Sequence, residues 1–142
     1  MPDLNRTIVA AVAGLLLALS VFAAGTTDFS GTWVLNTDKG QNLGMVKAVD
    51  ESIVVTQSAD KLVIDFTSKF MLKTTRRQVS YDLKGGPVPN EGAMGDKAQT
   101  VAKWVNGKLV VTWTSEGAVA GSTTVKTETR WLSADGNEMS VE

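Results

Sequence analysis

An arginine and a tyrosine are the residues whose types and spacing are most suggestive of binding chemistry. Arg77 and Tyr81 share one face of an alternating segment, so a strand would point both side chains into the same space. An inward guanidinium beside a phenol can hold a ligand carboxylate through paired hydrogen bonds. The alternative is that Arg77 lies at the strand end and reaches water, because burying an unpaired cation is costly.

Catalytic and metal-binding chemistry has few candidate residues. His and Cys are absent, which removes the commonest general base and the commonest metal ligand. No Gly-x-Ser-x-Gly motif occurs, and Asp65 and Asp82 fall on faces predicted to be wet. Asn90, Glu91 and Asp96 carry oxygen ligands but lack the dense acidic spacing of a calcium loop. We predict no catalytic residue, no metal, no cofactor and no enzyme activity.

The first 24 residues have the composition of an export signal. Ile8–Phe22 is apolar except for Gly14 and Ser20, and small residues follow. We predict a signal peptide over residues 1–24 and a single domain over residues 25–142, located in the periplasm or secreted. The alternative is an uncleaved anchor, since Ile8–Ala24 reaches the short edge of a bilayer-spanning length.

The remaining chain alternates apolar and polar residues, which is typical of strands. Eight strands are predicted, at 29–36, 52–58, 61–70, 73–83, 123–132 and 137–142, with two more on either side of the Asn106-Gly107 turn. They are joined by short turns, apart from a loop or helical turn at 37–50 and an irregular Gly/Pro segment at 84–97. We expect an all-β fold, an eight-stranded antiparallel up-and-down meander that closes into a barrel to remove its edges.

Three hairpins have predictable registers. Pairing Ser58 with Lys61 in the first places Val55 opposite Ile64. Asn106-Gly107 predicts a type I′ turn in the second, with Ala102 opposite Val111. In the third, a three-residue loop would pair Trp131 with Met139. This register turns Lys126, Glu128 and Arg130 toward solvent.

The aromatic residues are predicted to point inward. They are Trp33, Phe66, Tyr81, Trp104, Trp113 and Trp131. They either fill a small barrel or line a cavity for one small ligand, and both interpretations stand. If a ligand enters, we expect it to contact Phe66, Arg77, Tyr81, Trp104 and Trp113.

An apolar triplet, Phe70-Met71-Leu72, lies at or beside a strand end. It is either a contact patch at the mouth of the barrel or a segment buried on both sides.

The opening strand, Phe29-x-Gly31-x-Trp33-x-Leu35, resembles the Gly-x-Trp strand of lipocalin-like proteins. The stretches 55–62, 102–109 and 128–136 resemble small exported bacterial proteins with a lipocalin-like domain. This resemblance implies a calycin-type β-barrel whose open end often admits a small hydrophobic ligand. It also implies structural roles for Gly31 and Trp33, with Arg130 covering the Trp33 ring.

Two functions are compatible with these features. One is an exported binding protein for a small apolar or amphipathic molecule held in the barrel. The other is a structural or interaction module of the cell envelope whose barrel is filled by side chains. The net charge of −1 gives no basic excess for nucleic acid, and membrane contact is expected only if the leader is retained. The oligomeric state is not predicted.

Overall fold

The computed structural model describes residues 6–9 and 27–142, which form ten strands and one short 3₁₀ helix. The strands are β1 (Arg6–Val9), β2 (Gly31–Leu35), β3 (Asp50–Gln57), β4 (Lys61–Phe70), β5 (Lys73–Asp82), β6 (Val88–Glu91), β7 (Lys97–Val105), β8 (Lys108–Glu116), β9 (Thr123–Leu132) and β10 (Glu138–Val141), and the 3₁₀ helix is Gly44–Ala48. The signal-peptide prediction lies outside these residues except at β1. In the two described ranges, no helix is long and apolar enough to cross a bilayer.

The strands after β1 form two antiparallel sheets. Strands β2–β5 make a sheet of four, and strands β6–β10 make a sheet of five. β1 lies between the sheets, parallel to both neighbours, with Ile8 opposite Leu35 of β2 and Met139 of β10. The all-β antiparallel prediction is confirmed, whereas the prediction of one eight-stranded meander is wrong.

One of the strands that were not predicted, β6, arises in the Gly/Pro segment that we expected to be irregular. β6 tolerates Pro89 because it is the edge strand of its sheet, where a missing N–H costs little. On the open side of β6, the Asn90 side chain replaces a backbone ladder. Its amide oxygen accepts from the Ser80 N–H at 3.0 Å, and its amide nitrogen donates to the Ser80 carbonyl at 2.8 Å. One side chain therefore links β6 to β5.

Two of the three predicted hairpin registers are confirmed. Val55 pairs with Ile64 between β3 and β4, and Ala102 pairs with Val111 between β7 and β8. Asn106 and Gly107 both adopt positive φ angles, of 49° and 77°, as a type I′ turn requires.

The third hairpin is shifted by one residue from its predicted register. Met139 pairs with Leu132 instead of Trp131. The loop is longer than expected because the Asp135 carboxylate accepts from the Ser133 hydroxyl at 2.6 Å and the Asn137 N–H at 3.0 Å. These hydrogen bonds, that from Ser133 foremost, lower the pKa of Asp135.

The shift by one residue exchanges the two faces of β9. Arg130 is buried inside and Glu128 is half-buried beside it, so the prediction that these two face solvent is wrong. Lys126 is exposed, although its side chain borders the cavity on the same face. Trp131 takes the outer face, where the Lys108 ammonium lies 4.1 Å from its ring centre.

Burial decreases along the inward positions of the strands. Leu62 and Ile64 of β4 are buried, Phe66 is half-buried and Phe70 is exposed. β5 and β9 show the same gradient in the same direction. The barrel therefore has a packed end, at the turns around residues 59–60, 106–107 and 134–137. Its open end carries the 3₁₀ helix and the turns around residues 71–72, 92–96 and 117–122.

Candidate functional site

A cavity of about 230 Å³ lies inside the barrel, between the packed core and the open end. Four of the five predicted ligand-binding residues line it: Phe66, Arg77, Tyr81 and Trp113. Leu35, Ile53 and Val141 add apolar wall, and Val46, Gly92 and Ala93 approach it from the segments of the open end. Both interpretations of the interior hold in part, because one end is filled with side chains and the other has space.

Tyr81 and Trp113 form the inner wall of the cavity. Their rings meet edge to face with centroids 6.1 Å apart, and both side chains are buried. Burial, assisted by the Glu128 carboxylate, raises the pKa of Tyr81 well above its usual value of 10.0. The phenol is therefore a neutral hydrogen-bonding group at any physiological pH.

Arg77 is half-buried at the cavity wall. Its guanidinium carbon lies 4.2 Å from the centre of the Phe66 ring, directly across the β4–β5 ladder. One guanidinium nitrogen, Nη1, donates to the Glu91 carbonyl at 3.3 Å. The stacking and this hydrogen bond hold the cation beside the cavity and leave other guanidinium donors for a ligand.

Arg130 is the most deeply buried cation of the cavity, with its side chain 4% exposed. Its Nη2 donates to the Glu128 carboxylate at 2.6 Å, and its Nη1 approaches the Met139 sulfur at 3.2 Å. Its Nε makes no hydrogen bond within the described residues. The Trp113 side chain is also buried at this cavity, and a hydrogen bond from it acts on the Tyr81 hydroxyl. Arg130 Nε is therefore the donor of this cavity that lacks an acceptor among the described residues.

The charges around the cavity favour an anion. Arg77, Lys126 and Arg130 contribute positive charge, and Glu51 and Glu128 contribute negative charge. Glu128 neutralises Arg130. Of the remaining charges, Arg77 and Lys126 are positive and Glu51, which accepts a hydrogen bond from the Ser68 hydroxyl at 2.7 Å, is negative. One positive charge is therefore in excess.

Trp104 lies away from this cavity, although we predicted it as a ligand contact. Its ring stacks on Phe29 with centroids 6.0 Å apart and planes 3° apart, close to the packed end. Trp104 therefore fills the barrel instead of lining its free space.

Gly31, Trp33 and Arg130 are the three residues predicted to be structural. Trp33 is fully buried and its indole N–H donates to the Phe29 carbonyl at 2.9 Å. Gly31 adopts a φ of 132°, which a side chain would strain. Arg130 shares the interior with Trp33, but its described contacts are to Glu128 and Met139, so its stacking on Trp33 stays a prediction.

Other candidate sites are less suitable. A groove of about 920 Å³ runs outside the barrel along Gln78, Asn90 and Thr114, where it is wide and open to water. Within residues 6–9 and 27–142, no group of acidic side chains is arranged to hold a metal. The Asn90 side-chain amide already donates hydrogen bonds to the Ser80 carbonyl and the Thr100 hydroxyl.

Sequence reasoning missed Glu51, Lys126 and Glu128 as cavity residues. Glu128 and Lys126 were placed outside by the wrong β9–β10 register. The signal that could have placed them correctly is the β8–β9 pairing, which sets Glu128 opposite the buried Val111.

We expect Tyr81 to resist ionisation until the protein unfolds. Its pKa is raised in the folded state, so the stability that it contributes is fully present below pH 10 and decreases as pH rises above the unfolded-state value of about 10. Tyr81 is the only tyrosine, so tyrosinate absorbance in an alkaline titration reports on it alone. Absorbance and unfolding should rise together, and Tyr81→Phe should shift unfolding to higher pH. Tyrosinate formation in the folded chain would contradict this expectation.

Comparison with known proteins identifies the fold and nothing finer. No family model matches the chain, and no curated protein matches it. Among solved structures, the chain is similar to human cRBP IV, a cellular retinol-binding protein, with a TM-score of 0.52 and 19% sequence identity. The match covers 77% of this chain and 84% of that one. This likeness supports a β-barrel fold.

Proposed function

We propose that this chain is an exported binding protein, without enzyme activity, that holds a small amphipathic anion in its barrel. The observation that carries the proposal is Arg130 Nε, a buried donor that has no acceptor among the described residues, in a cavity with excess positive charge. A buried donor without an acceptor costs about 1–3 kcal/mol, and an anionic ligand would remove that cost.

The ligand would enter with its charged group toward Arg77, Tyr81 and Arg130. Its apolar part would lie against Leu35, Phe66 and the other apolar wall residues, pointing to the open end. Because 230 Å³ is below the usual range of about 300–1,000 Å³, we expect a short or slender tail. Human cRBP IV, a retinol-binding protein of similar fold, supports a small apolar molecule as the occupant.

The apolar leader supports export to the periplasm or beyond, because it combines an apolar core with small residues at its end. No cofactor is required for the proposed role. The alternative is an envelope module with a filled barrel. The one observation that favours it is that side chains fill the packed end of the barrel.

The proposal predicts that decanoate binds and that Arg77 contributes to its affinity. We expect calorimetry to give saturable binding of decanoate that is at least about tenfold tighter than that of decanol, since only the acid is charged. Arg77→Met should weaken decanoate binding about 10- to 100-fold, because a hydrogen bond to a charged group contributes about 1.5–3 kcal/mol.

The neighbouring arginine supplies a matched control. Arg76 is exposed on the opposite face of β5, so Arg76→Met removes the same charge without touching the cavity. Equal losses in the two variants would refute a specific role for Arg77. No saturable binding of decanoate, decanol or retinol would favour the filled envelope module.

A further inference from the structure

Most of the large apolar side chains that are exposed within residues 27–142 lie at the open end of the barrel. They come from the 3₁₀ helix, the β4–β5 turn, the β6–β7 turn and the region between β8 and the middle of β9. They are Met45, Val46, Phe70, Met71, Leu72, Met94, Val119 and Val125. The remaining three, Val34, Val54 and Val105, are separate from this group. Such a concentration at one end of a molecule marks a contact surface.

The β4–β5 turn contains a residue in a strained backbone conformation. Met71 adopts a φ of 55°, a left-handed conformation that favours Gly or Asn and strains other side chains. The Met71 side chain is 79% exposed and Leu72 is 100% exposed. Neither packs on the barrel, so the apolar tip contributes nothing visible to folding. Strain kept at an exposed apolar turn indicates a role outside the fold.

Lysines lie around the part of the open end that is formed by the β4–β5 turn and the 3₁₀ helix, which is one half of its rim. Lys69 and Lys73 flank the turn, and Lys47 lies on the 3₁₀ helix that leads into β3, the strand beside β4. Within residues 27–142, none of these three lysines forms an ion pair. Asp50, opposite Lys69, is the acidic residue nearest to them along these strands. We name residues 45–47 and 69–73 the basic lip.

The other half of the rim has a different character. Glu91, Asp96 and Glu116 lie on the β6–β7 and β8–β9 side, where Lys97 and Lys126 are the nearby cations within residues 27–142. The two halves therefore differ in charge. Within residues 27–142, the basic lip carries three lysines with Asp50 and Glu51 beside them, whereas three carboxylates outnumber two lysines on the other half.

We propose that the basic lip docks the protein on an anionic lipid surface. Phe70, Met71 and Leu72 would enter the boundary between headgroups and acyl chains, while the flanking lysines would meet lipid phosphates. Val46 belongs both to the lip and to the cavity wall, so docking would bring the mouth of the cavity to the lipid surface. This docking requires neither a retained leader nor a bound ligand, in contrast to the expectation from the sequence.

Vesicle co-sedimentation of the full chain tests the proposal without any ligand. We expect stronger binding to phosphatidylcholine vesicles that contain phosphatidylglycerol than to phosphatidylcholine alone. Lys69→Gln combined with Lys73→Gln should lower the partition coefficient about tenfold or more, and Met71→Asn combined with Leu72→Ser should do the same. Asn suits the left-handed turn, so the second variant should keep its fold.

Variants at the packed end provide the control. Val105→Ser and Lys103→Gln remove an exposed apolar group and an exposed cation far from the lip, and should leave binding unchanged. Equal binding of lip variants and wild type would overturn the proposal, because any attachment would then run through the leader. Equal binding to neutral and anionic vesicles would also overturn it. A lipid-independent dimer that Leu72→Ser dissociates would show that the lip contacts a second copy instead.

Discussion

Trp33→Ala should destabilise the fold by about 3–5 kcal/mol, more than the same truncation at any of the other three tryptophans. The Trp33 side chain is fully buried, and its indole N–H donates to the Phe29 carbonyl at 2.9 Å. Truncation leaves a cavity in the packed end and also removes the donor from a buried carbonyl. Because domains of this size are stable by about 5–15 kcal/mol, much of the protein would unfold near physiological temperature.

Trp131→Ala is the matched control for this prediction. Trp131 has the same side chain, but it lies on the outer face of β9 beneath Lys108. Trp131 is half-buried, so its truncation loses part of the packed ring area and a cation–π contact of about 0.5–1 kcal/mol, a total that we expect to be smaller than the loss at Trp33. Urea denaturation followed by circular dichroism should separate the two variants clearly. Similar losses in both would mean that the β9–β10 register is the one that places Trp131 inside.

Glu128→Leu should destabilise the chain by about 3–5 kcal/mol, because it leaves the Arg130 guanidinium buried without its counter-charge. The Arg130 side chain is 4% exposed, and Glu128 Oε1 accepts its Nη2 hydrogen bond at 2.6 Å. The remaining hydrogen-bond acceptor described for Arg130 is the Met139 sulfur, which is weak.

A double variant distinguishes pairing from packing. Glu128→Leu with Arg130→Met removes both charges, and replacing a buried ion pair by apolar groups is often neutral, so it should recover most of the loss. Glu138→Gln, which breaks the exposed Lys39–Glu138 pair, should cost less than about 1 kcal/mol. Denaturation midpoints of the wild type, the two single variants and the double variant measure the coupling. A double variant as unstable as the sum of both single variants would refute the pairing argument.

The alternation of apolar and polar residues was sufficient to predict the strand register of those hairpins in which one face is apolar. Val55 with Ile64 and Ala102 with Val111 could be paired because a slip of one residue would expose every apolar partner. The β9–β10 hairpin lacked that constraint. β9 carries alternating charged and hydroxyl residues, and its register depends on the hydrogen bonds of Asp135 in the turn.

The candidate site could be predicted only in part for the same reason. Phe66, Arg77, Tyr81 and Trp113 lie on strands with clear registers, so their shared face was visible in the sequence. The counter-charges Glu128 and Arg130 were assigned to the wrong face of β9. Trp104 was correctly placed inside, but nothing in alternation tells which end of a barrel is filled. β6 was missed because glycines and prolines surround it, although Val88–Glu91 pairs with β7 in a regular ladder.

The most direct test of the central claim uses the indole N–H groups as position markers. The four tryptophans occupy different places: Trp33 and Trp104 in the packed interior, Trp113 at the cavity and Trp131 outside. Each gives its own indole signal in a nitrogen–proton correlation spectrum, which single Trp→Phe variants assign.

Titration with decanoate should move the Trp113 indole signal most, in a saturable way, because Trp113 is the tryptophan that lines the cavity. The Trp33 and Trp131 signals should stay nearly fixed. A largest shift at Trp131, or a change at Trp113 that grows linearly without saturation, would contradict an anion-binding cavity inside the barrel.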